Sequence, residues 1–492
     1  MHRAASRLQW LALILLSALS LGKFDSVAYA KAQPSVQVRK DEIQVLFVSD
    51  IHFEPFLDPE KAEKLAAAPV SEWHTILAAP ASADIAARWD RLEQVCPVRG
   101  HDTSYLLYRS SLIAIREHAK AAKFAVVSGD LIAHSFSCKF QALFPKASPQ
   151  DYRAFVVKTI AYVLAELRGA LPGVPVYAAL GNNDSDCGDY QLDAGSPFLS
   201  ELAPVFVGRA QDGLQTQDVH AFDARGDYSV ALPAPVKNGR LLVLDDLFAS
   251  ARYRTCSGKI DASPAARQIA WLKQQLDTAR AQNENVWVMA HIPPGVDPYS
   301  TARRWMTLCA GGNPQTFLGS NALSDTLAAY GDVIRLAIFA HTHMDELRVL
   351  EPEKGSAADM PVAVKIVASI SPVDGNNSSF TVGTVDVNHA VLTDYRVIAT
   401  SNQTGVDTSW SEEYDFAATY HKPGFTAAAV NDLITGFRSD PMAQSVASQS
   451  YLQNYMTGKD MRSLALFWAP YTCSLTNSTA DAYRLCVCSN AP

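Results

Sequence analysis

Short apolar runs alternate with amphipathic segments from about residue 41 onward, and most of these runs end at a glycine or a polar residue. The runs predict strands over 43–49, 124–128, 174–180, 286–290 and 334–340, a hairpin at 228–232 and 241–244, and a strand-rich region at 362–398. Helical spacing predicts helices over 110–122, 151–168 and 265–280. Strands alternating with helices are typical of layered α/β domains. We therefore predict mixed β-sheets covered by helices over residues 41–400.

Two segments fall outside this alternation. The segment 58–96 is rich in alanine and predicts helices near the mouth of the functional site described below. From residue 401 onward, aromatic residues and helical spacing dominate, and three cysteines lie close to the end. We therefore predict a small, helical, disulfide-containing C-terminal subdomain at 401–492.

The first thirty residues have the pattern of a signal peptide. Arg3 and Arg7 precede an apolar run over 8–21, and residues 28–30 have the small-x-small form of a cleavage site. A retained membrane anchor is the alternative, but the run is shorter than the roughly 20 residues of a spanning helix. We therefore expect residues 1–30 to be removed and the mature protein to be secreted or periplasmic, without a transmembrane segment, and monomeric.

Composition adds two constraints. The formal net charge of −8 argues against nucleic-acid binding through a basic surface, so we expect no specific nucleic-acid partner. Eight cysteines in an exported chain predict up to four disulfides, and structural bridges are favoured over thiolate metal sites because no Cys-x2-Cys pair is present. Sequence alone leaves many connectivities open; we predict the pairs Cys473–Cys486 and Cys256–Cys309.

The apolar strands end in side chains that can bind metal ions. Seven residues share this position: Asp50, His52, Asp130, Asn182, His291, His341 and His343. A single strand-end histidine such as His291 is more often a hydrogen-bonded structural residue. However, residues i and i+2 of an extended segment point to one side, so Asp50 and His52 can meet a common centre, as can His341 and His343.

Carboxylate, amide and imidazole ligands suit zinc, manganese or iron, which usually take three or four protein ligands each. Seven ligands with one shared carboxylate therefore predict two divalent ions, with zinc first and manganese or iron as alternatives. Two close ions can hold a hydroxide and clamp a phosphate during in-line displacement.

The ordered motifs Asp-x-His, Gly-Asp, Gly-Asn-Asn, a single His and His-x-His resemble those of the calcineurin-like metallophosphoesterases. Within that superfamily the chain is similar to the acid sphingomyelinase-like phosphodiesterase branch. The similarity is carried by Gly-Asp-Leu-Ile-Ala-His at 129–134, Ser-Ile-Ser-Pro at 369–372 leading to Asn376-Asn377, and the stretch 410–414. The resemblance implies a four-layer sandwich of two mixed β-sheets flanked by helices.

The resemblance also implies how the ligands divide. One ion would be held by Asp50, His52, Asp130 and His343. The other would be held by Asp130, Asn182, His291 and His341, with Asp130 bridging the two. A hydroxide bridging the ions would attack phosphorus opposite the leaving oxygen, and a general acid would protonate that oxygen.

One position departs from the family pattern. Many relatives have histidine directly after the metal-binding asparagine, whereas this chain has Asn183, which can contact phosphate but cannot act as an acid. His134 therefore becomes the candidate general acid, with a purely hydrogen-bonding role as the alternative. Asp184 or Asp186 could orient it.

These residues predict a metal-dependent phosphoric ester hydrolase that cleaves phosphodiester or phosphoanhydride bonds. The substrate class is a small phosphodiester, a nucleotide or a phospholipid headgroup, and the sequence does not choose among them. A phosphomonoesterase or nucleotide phosphohydrolase on the same core is the enzymatic alternative. A catalytically inert metal-binding module is the alternative of another class, which Asn183 keeps open.

Overall fold

A computed structural model describes residues 39–207, 216–302, 305–352, 360–459 and 462–489. The predicted signal peptide at 1–30 lies outside the described residues. No helix in the described ranges has both the length and the apolar composition needed to cross a bilayer.

Two six-stranded sheets form the centre of the fold. The strands described are β1 (Glu42–Val48), β2 (Ala122–Val127), β3 (Val176–Ala178), β4 (Tyr228–Ala231), β5 (Gly239–Val243), β6 (Asn285–Met289), β7 (Ile334–Phe339), β8 (Glu346–Leu350), β9 (Val362–Ile366), β10 (Ser379–Asp386), β11 (Leu392–Thr400) and β12 (Trp410–Asp415). The first sheet has the order β12-β11-β10-β1-β2-β3, and the second has the order β4-β5-β6-β7-β9-β8. In each sheet a block of parallel strands is extended by antiparallel strands.

Helices connect and cover these strands. Those described are α1 (Pro59–Ala67), α2 (Val70–Ala78), α3 (Ile85–Val95), α4 (Tyr105–His118), α5 (Phe136–Leu143), α6 (Pro149–Ala170), α7 (Pro197–Phe206), α8 (Thr216–Arg225), α9 (Ser263–Ala281), α10 (Pro298–Ala302), α11 (Trp305–Leu308), α12 (Ala322–Ala328), α13 (Phe416–Tyr420), α14 (Ala427–Arg438), α15 (Val446–Asn454), α16 (Arg462–Ala465), α17 (Trp468–Ser474) and α18 (Ala480–Ser489). A short 3-10 helix spans Asp246–Ala249.

Aromatic side chains join the two sheets. Trp287 of β6 stacks on Phe47 of β1, with ring centroids 5.9 Å apart, and lies 5.6 Å from the ring of Phe124 on β2. All three are fully buried. On the outer faces, α4 contacts β10 of the first sheet, and α9 contacts β5 and β6 of the second. The arrangement is the predicted sandwich of two mixed sheets flanked by helices, because parallel strands buried on both faces need a helical layer outside.

The local predictions agree with the structure at most elements and differ at two. Helix α4 begins at Tyr105, five residues before the prediction, because the Ser104 side chain caps it by accepting from the Leu107 N–H at 3.1 Å. The stretch Trp410–Asp415 is not helical but forms β12 at the edge of the first sheet, paired with β11. The helices predicted for 58–96 are α1, α2 and α3. The domain boundary near residue 400 stays a prediction.

Four disulfides link the chain: Cys96–Cys138, Cys187–Cys256, Cys309–Cys488 and Cys473–Cys486. The predicted Cys473–Cys486 pair is confirmed. The predicted Cys256–Cys309 pair is wrong, since Cys256 lies beside Cys187 and Cys309 lies beside the final helix. Sequence spacing could not show this, because Cys309 and Cys488 are separated by 179 residues. Such a disulfide content is typical of exported proteins.

A pair of aspartates at the β11–β12 edge gives a stability prediction. Burial, with Asp415 as a neighbouring charge, raises the pKa of Asp394 to about 7. The folded state therefore binds a proton that the unfolded state releases near pH 4, and this group destabilises the protein as pH rises from about 4 to about 7. In Asp394→Asn the side-chain oxygen can still accept from the N–H groups of Tyr395 and Ala417.

We therefore expect Asp394→Asn to be more stable than wild type at pH 8 and nearly equal to it at pH 5, measured by urea unfolding. Asp386→Asn is the control, because Asp386 also accepts backbone N–H groups but its pKa is lowered rather than raised. A stability difference for Asp394→Asn that is the same at both pH values would contradict the prediction.

Candidate metal centre and active site

The predicted ligands lie in the loops that follow five parallel strands. Val48 of β1 pairs with Val127 of β2, which pairs with Ala178 of β3, so these three strands end at one level. In the second sheet Met289 of β6 pairs with Ile338 of β7. The carboxyl ends of parallel strands form one edge, which is where ligands bind in open α/β sheets. All seven predicted side chains therefore converge at the junction of the two sheets.

The backbone at this junction is strained. Asp50, His52, Asp130, His341 and His343 all have positive φ, between 42° and 71°. Left-handed backbone at residues other than glycine costs about 1–3 kcal/mol each and clusters at functional sites. Five of the seven predicted ligands share this conformation, which turns their side chains out of the strand direction and toward one centre.

Distances divide the seven side chains into two sets that share Asp130. The Oδ2 atom of Asp130 lies 3.4 Å from His52 Nε2 and 3.2 Å from His291 Nε2. In the first set His343 Nε2 is 3.1 Å from His52 Nε2 and 3.5 Å from Asp50 Oδ1. In the second, His291 Nε2 is 3.1 Å from Asn182 Oδ1 and 3.3 Å from His341 Nδ1. The structure thus places close together the residues that the resemblance assigns to each ion, and their division between two ions stays a prediction.

Two histidines are oriented by hydrogen bonds from their Nδ1 atoms to backbone carbonyls. His52 Nδ1 lies 2.9 Å from the carbonyl of Ile132, and His291 Nδ1 lies 2.8 Å from the carbonyl of Ser128. Because a carbonyl oxygen can only accept, each Nδ1 carries a proton, and the Nε2 of each ring is directed at the other predicted ligands. This is the usual way in which a protein orients histidine ligands for a metal ion.

The remaining contacts at the centre leave polar atoms unsatisfied. Facing ring nitrogens, His52 with His343 and His291 with His341, can hold at most one hydrogen between them. Asp50 Oδ1 is buried and has no hydrogen-bond partner among the described residues. Buried polar atoms are normally paired. The donor set, oxygen and imidazole nitrogen, is that of zinc, manganese and iron sites, so these residues fit divalent cations.

The charges of the two carboxylates differ. Burial, together with the charge of Asp130, raises the pKa of Asp50 to about 7. Burial also opposes ionisation of Asp130, but His291 and His52 hold its pKa well below the usual range. In turn, Asp130 overcomes burial and raises the pKa of His291 to about 10. Negative charge is therefore concentrated on the carboxylate that the two sets share.

Buried carboxylates next to the centre fix the ligand loops. Asp184 accepts from the N–H groups of Leu131 and Ile132 at 2.8 and 3.1 Å, and from Gly181 at 2.9 Å. It thereby ties the loop of Asp130 to the loop of Asn182. Asp246 similarly accepts from the N–H groups of His291 and Ile292. Both acceptors are fully buried.

Asp184→Ala is therefore expected to weaken metal binding by about 10–100-fold and to lower the free energy of unfolding by about 1–3 kcal/mol, because three buried N–H groups lose their acceptor. The measurement is zinc competition with a chelator, together with urea unfolding. Asp386→Ala, which removes an acceptor of backbone N–H groups in a surface turn, is the control. Unchanged metal affinity in Asp184→Ala would contradict the positioning role.

His134 stands beside the first set and faces the cleft. Its ring stacks on His52 with centroids 4.0 Å apart. Its Nδ1 donates to Asp102 Oδ1 at 2.9 Å, and its backbone N–H donates to Asp102 Oδ2 at 2.7 Å. Although burial opposes it, Asp102 raises the pKa of His134 to about 9. The ring is therefore held protonated, as a general acid requires.

Asp102 was missed by the sequence reasoning, which named Asp184 or Asp186 as the residue that orients His134. That hypothesis is wrong for Asp184, because its carboxylate oxygens accept hydrogen bonds from backbone N–H groups instead. The contact of Asp102 with His134 joins residues 32 positions apart, and no local sequence pattern indicates it.

The ring nitrogens of His52, His134 and His343 lie within 4.8 Å of one another, so His134 is close enough to contact a metal ion.

Asn183 contacts the shared carboxylate. Its backbone N–H donates to Asp130 Oδ1 at 2.8 Å, and its side-chain amide donates to Asp130 Oδ2 at 2.9 Å. The residue is buried at the floor of the cleft. Its side chain thus orients Asp130, and the predicted contact of Asn183 with phosphate stays a prediction.

A cleft of about 830 Å³ opens above the centre. Its walls also contain residues that the sequence did not identify as candidates: Arg99, Tyr190, Arg252, Tyr299, Phe317 and Asp374. The Arg252 guanidinium lies 3.9 Å from the centroid of the Tyr190 ring, and Arg99 pairs with Asp374 at 2.9 Å. Cationic and aromatic side chains therefore border the predicted reaction centre.

Comparison with known proteins agrees with this geometry. The chain is 25% identical over 401 residues to the sphingomyelinase phosphodiesterase D of Dictyostelium discoideum, covering 79% of this chain and 80% of that protein. It is 23% identical over 426 residues to the human acid sphingomyelinase-like phosphodiesterase 3b, covering 80% and 85%. It is 23% identical over 401 residues to the human cyclic GMP-AMP phosphodiesterase SMPDL3A, covering 79% and 78%.

The profile of the calcineurin-like phosphoesterases matches residues 43–345, which include every predicted metal ligand. That span begins in β1 and ends just after the His-x-His pair at 341–343. The order of motifs, the two-sheet fold and the converging ligand loops all agree with this match. The chain therefore belongs to the calcineurin-like phosphoesterase family.

Proposed function

We propose that this protein is an exported phosphodiesterase that hydrolyses small phosphodiesters with two divalent cations. The observation that carries the proposal is the position of Asp130, whose Oδ2 lies 3.4 Å from a histidine of one ligand set and 3.2 Å from a histidine of the other. A carboxylate shared in this way is what a two-ion site needs.

The first cation would be held by Asp50, His52, Asp130 and His343, and the second by Asp130, Asn182, His291 and His341. Zinc fits this set best, because neutral imidazoles supply four of the seven ligands, with manganese and iron as alternatives. When bound, two such cations supply a water nucleophile at neutral pH and stabilise negative charge on phosphate oxygens.

The chain's own residues then complete the site. His134 is positioned to protonate the leaving oxygen, since its Nδ1 is occupied by Asp102 and the ring lines the cleft. Asn183 holds the shared carboxylate through two hydrogen bonds. Arg252 on the wall of the cleft offers positive charge to a phosphate or to a second anionic group of the substrate.

The substrate lies within the class of small phosphodiesters, nucleotides and phospholipid headgroups. Relatives whose names indicate activity on sphingomyelin and on cyclic GMP-AMP support a diester over a monoester. The four disulfides support an exported location.

The experiment compares hydrolysis of bis-p-nitrophenyl phosphate, p-nitrophenyl phosphate and p-nitrophenyl phosphocholine by the zinc-loaded enzyme, before and after chelation. We expect cleavage of the diester or the choline ester, with lower kcat/KM on the monoester, and loss of activity on chelation. Faster hydrolysis of the monoester would favour a phosphomonoesterase. A metal-loaded protein that cleaves none of these esters or a panel of nucleotides would favour an inert binding module.

A further inference from the structure

A second cavity lies behind the catalytic cleft. It encloses about 600 Å³ between the α1–α3 segment and the start of α4. This volume falls within the range of small-molecule sites, roughly 300–1,000 Å³. Among the described residues, none lines both this cavity and the cleft. The two are separated by the Asp102–His134 pair, since Asp102 lines the cavity and His134 lines the cleft.

The lining is largely aliphatic and aromatic. It includes Leu57, Leu77, Ile85, Trp89 and Leu106. Leu106 is 49% exposed although it is a large apolar residue on a helix, so its outer face has no cover from the described chain. Trp89 is 8% exposed, and its indole Nε1 is buried without a hydrogen-bond partner among the described residues. A buried donor without a protein partner normally bonds to water or to a ligand.

The carboxylates of the lining already have internal partners. Glu54 forms a buried ion pair with Lys139. Asp58 accepts from the backbone N–H groups of Lys61 and Ser82, and Asp102 accepts from His134. The ammonium of Lys61 likewise donates to the carbonyls of Leu77 and Ala79. None of these charges is therefore directed at a ligand.

Arg109 differs from these groups because it is exposed on α4 and, although its side chain interacts with Tyr105, it forms no ion pair with a carboxylate of the described residues. An apolar interior with a cation at its mouth is complementary to a molecule that is apolar along its length and carries a negative charge at one end. We propose that this cavity binds a single-chain carboxylate amphiphile, with the alkyl chain against Leu57, Leu77 and Leu106 and the carboxylate at Arg109.

The test is calorimetric titration of the full metal-loaded protein with dodecanoate below its micellar concentration. We expect one saturable site. Dodecyltrimethylammonium, which has the same chain and the opposite charge, is expected to bind at least about tenfold more weakly. Equal binding of both amphiphiles, or no saturable binding of dodecanoate, would overturn the proposal.

Matched variants on one helix locate the site. Arg109→Glu is expected to weaken dodecanoate binding at least about tenfold, whereas Arg116→Glu, two turns further along α4, is expected to have no effect. Leu106→Asp should weaken binding, and Ile113→Asp, which changes another exposed apolar residue of the same helix, should not. Hydrolysis of bis-p-nitrophenyl phosphate verifies folding in all four variants. Equal affinity in Arg109→Glu and Arg116→Glu would overturn the assignment.

Discussion

Asp130→Ala is expected to lower kcat/KM for phosphodiester hydrolysis by about 1,000-fold or more and to reduce the bound metal from two ions per chain to one or none. The reason is geometric, because among the described residues Asp130 Oδ2 is the one oxygen within 3.4 Å of imidazoles from both ligand sets. Removing it takes a ligand from each ion and leaves His291 and His52 without their nearest carboxylate. Loss of transition-state stabilisation by both ions is worth several kcal/mol, and each 1.36 kcal/mol is a factor of about ten.

The measurement pairs activity with metal content by mass spectrometry after dialysis. Asp332→Ala is the control, since it removes a surface carboxylate that pairs with Arg280 before the start of β7, whereas His341 follows the other end of that strand. Thermal unfolding of the metal-free variant separates a local effect from misfolding. An Asp130→Ala protein that keeps two ions, or keeps its activity, would contradict the shared role of this carboxylate.

His134→Gln is expected to slow the cleavage of alkyl phosphodiesters, such as a dinucleoside phosphate, by about 10²–10⁴-fold, the usual contribution of a general acid. The same change should affect bis-p-nitrophenyl phosphate much less, because p-nitrophenolate leaves without being protonated. The difference between the two substrates depends on proton donation, because a misfolded enzyme would lose activity on both. His389→Gln is a matched control, since His389 also bonds an aspartate at 2.9 Å but is exposed on the surface.

The pH profile gives a second readout of the same pair. A general acid must be protonated, so the rate falls as pH rises through the pKa of His134. Asp102 raises that pKa, and Asp102→Asn should therefore move the alkaline limb of the profile to lower pH. An Asp102→Asn enzyme with an unshifted alkaline limb, or a His134→Gln enzyme that slows both substrates equally, would assign His134 a structural role.

The strand ends could be predicted from sequence because their signal is local. A buried apolar run followed by a turn or polar residue, as at Gly129 and Asp130 or at Ala340 and His341, marks the end of a strand within a few residues of sequence. The parallel strands then bring these ends together without further information. The two mixed sheets and most helix positions could also be predicted, because the spacing of apolar residues indicates them locally.

The features that sequence did not predict are non-local. Asp102 contacts His134 across 32 residues, and Cys309 bonds Cys488 across 179. Strand β12 was missed because the aromatic residues Trp410 and Tyr414, which favoured a helical subdomain, instead pair with β11 and anchor the sheet edge. Trp410 donates to Ser110 on α4 at 2.8 Å, a contact between residues 300 positions apart.

Anomalous X-ray scattering from crystals of the zinc-loaded protein would show directly whether two ions share Asp130. We predict two anomalous peaks about 3.5–4 Å apart, with Asp130 contacting both, Asn182 and His291 on one, and His52 and His343 on the other. A single ion, or two ions that do not share Asp130, would rule out a two-ion centre built on this carboxylate.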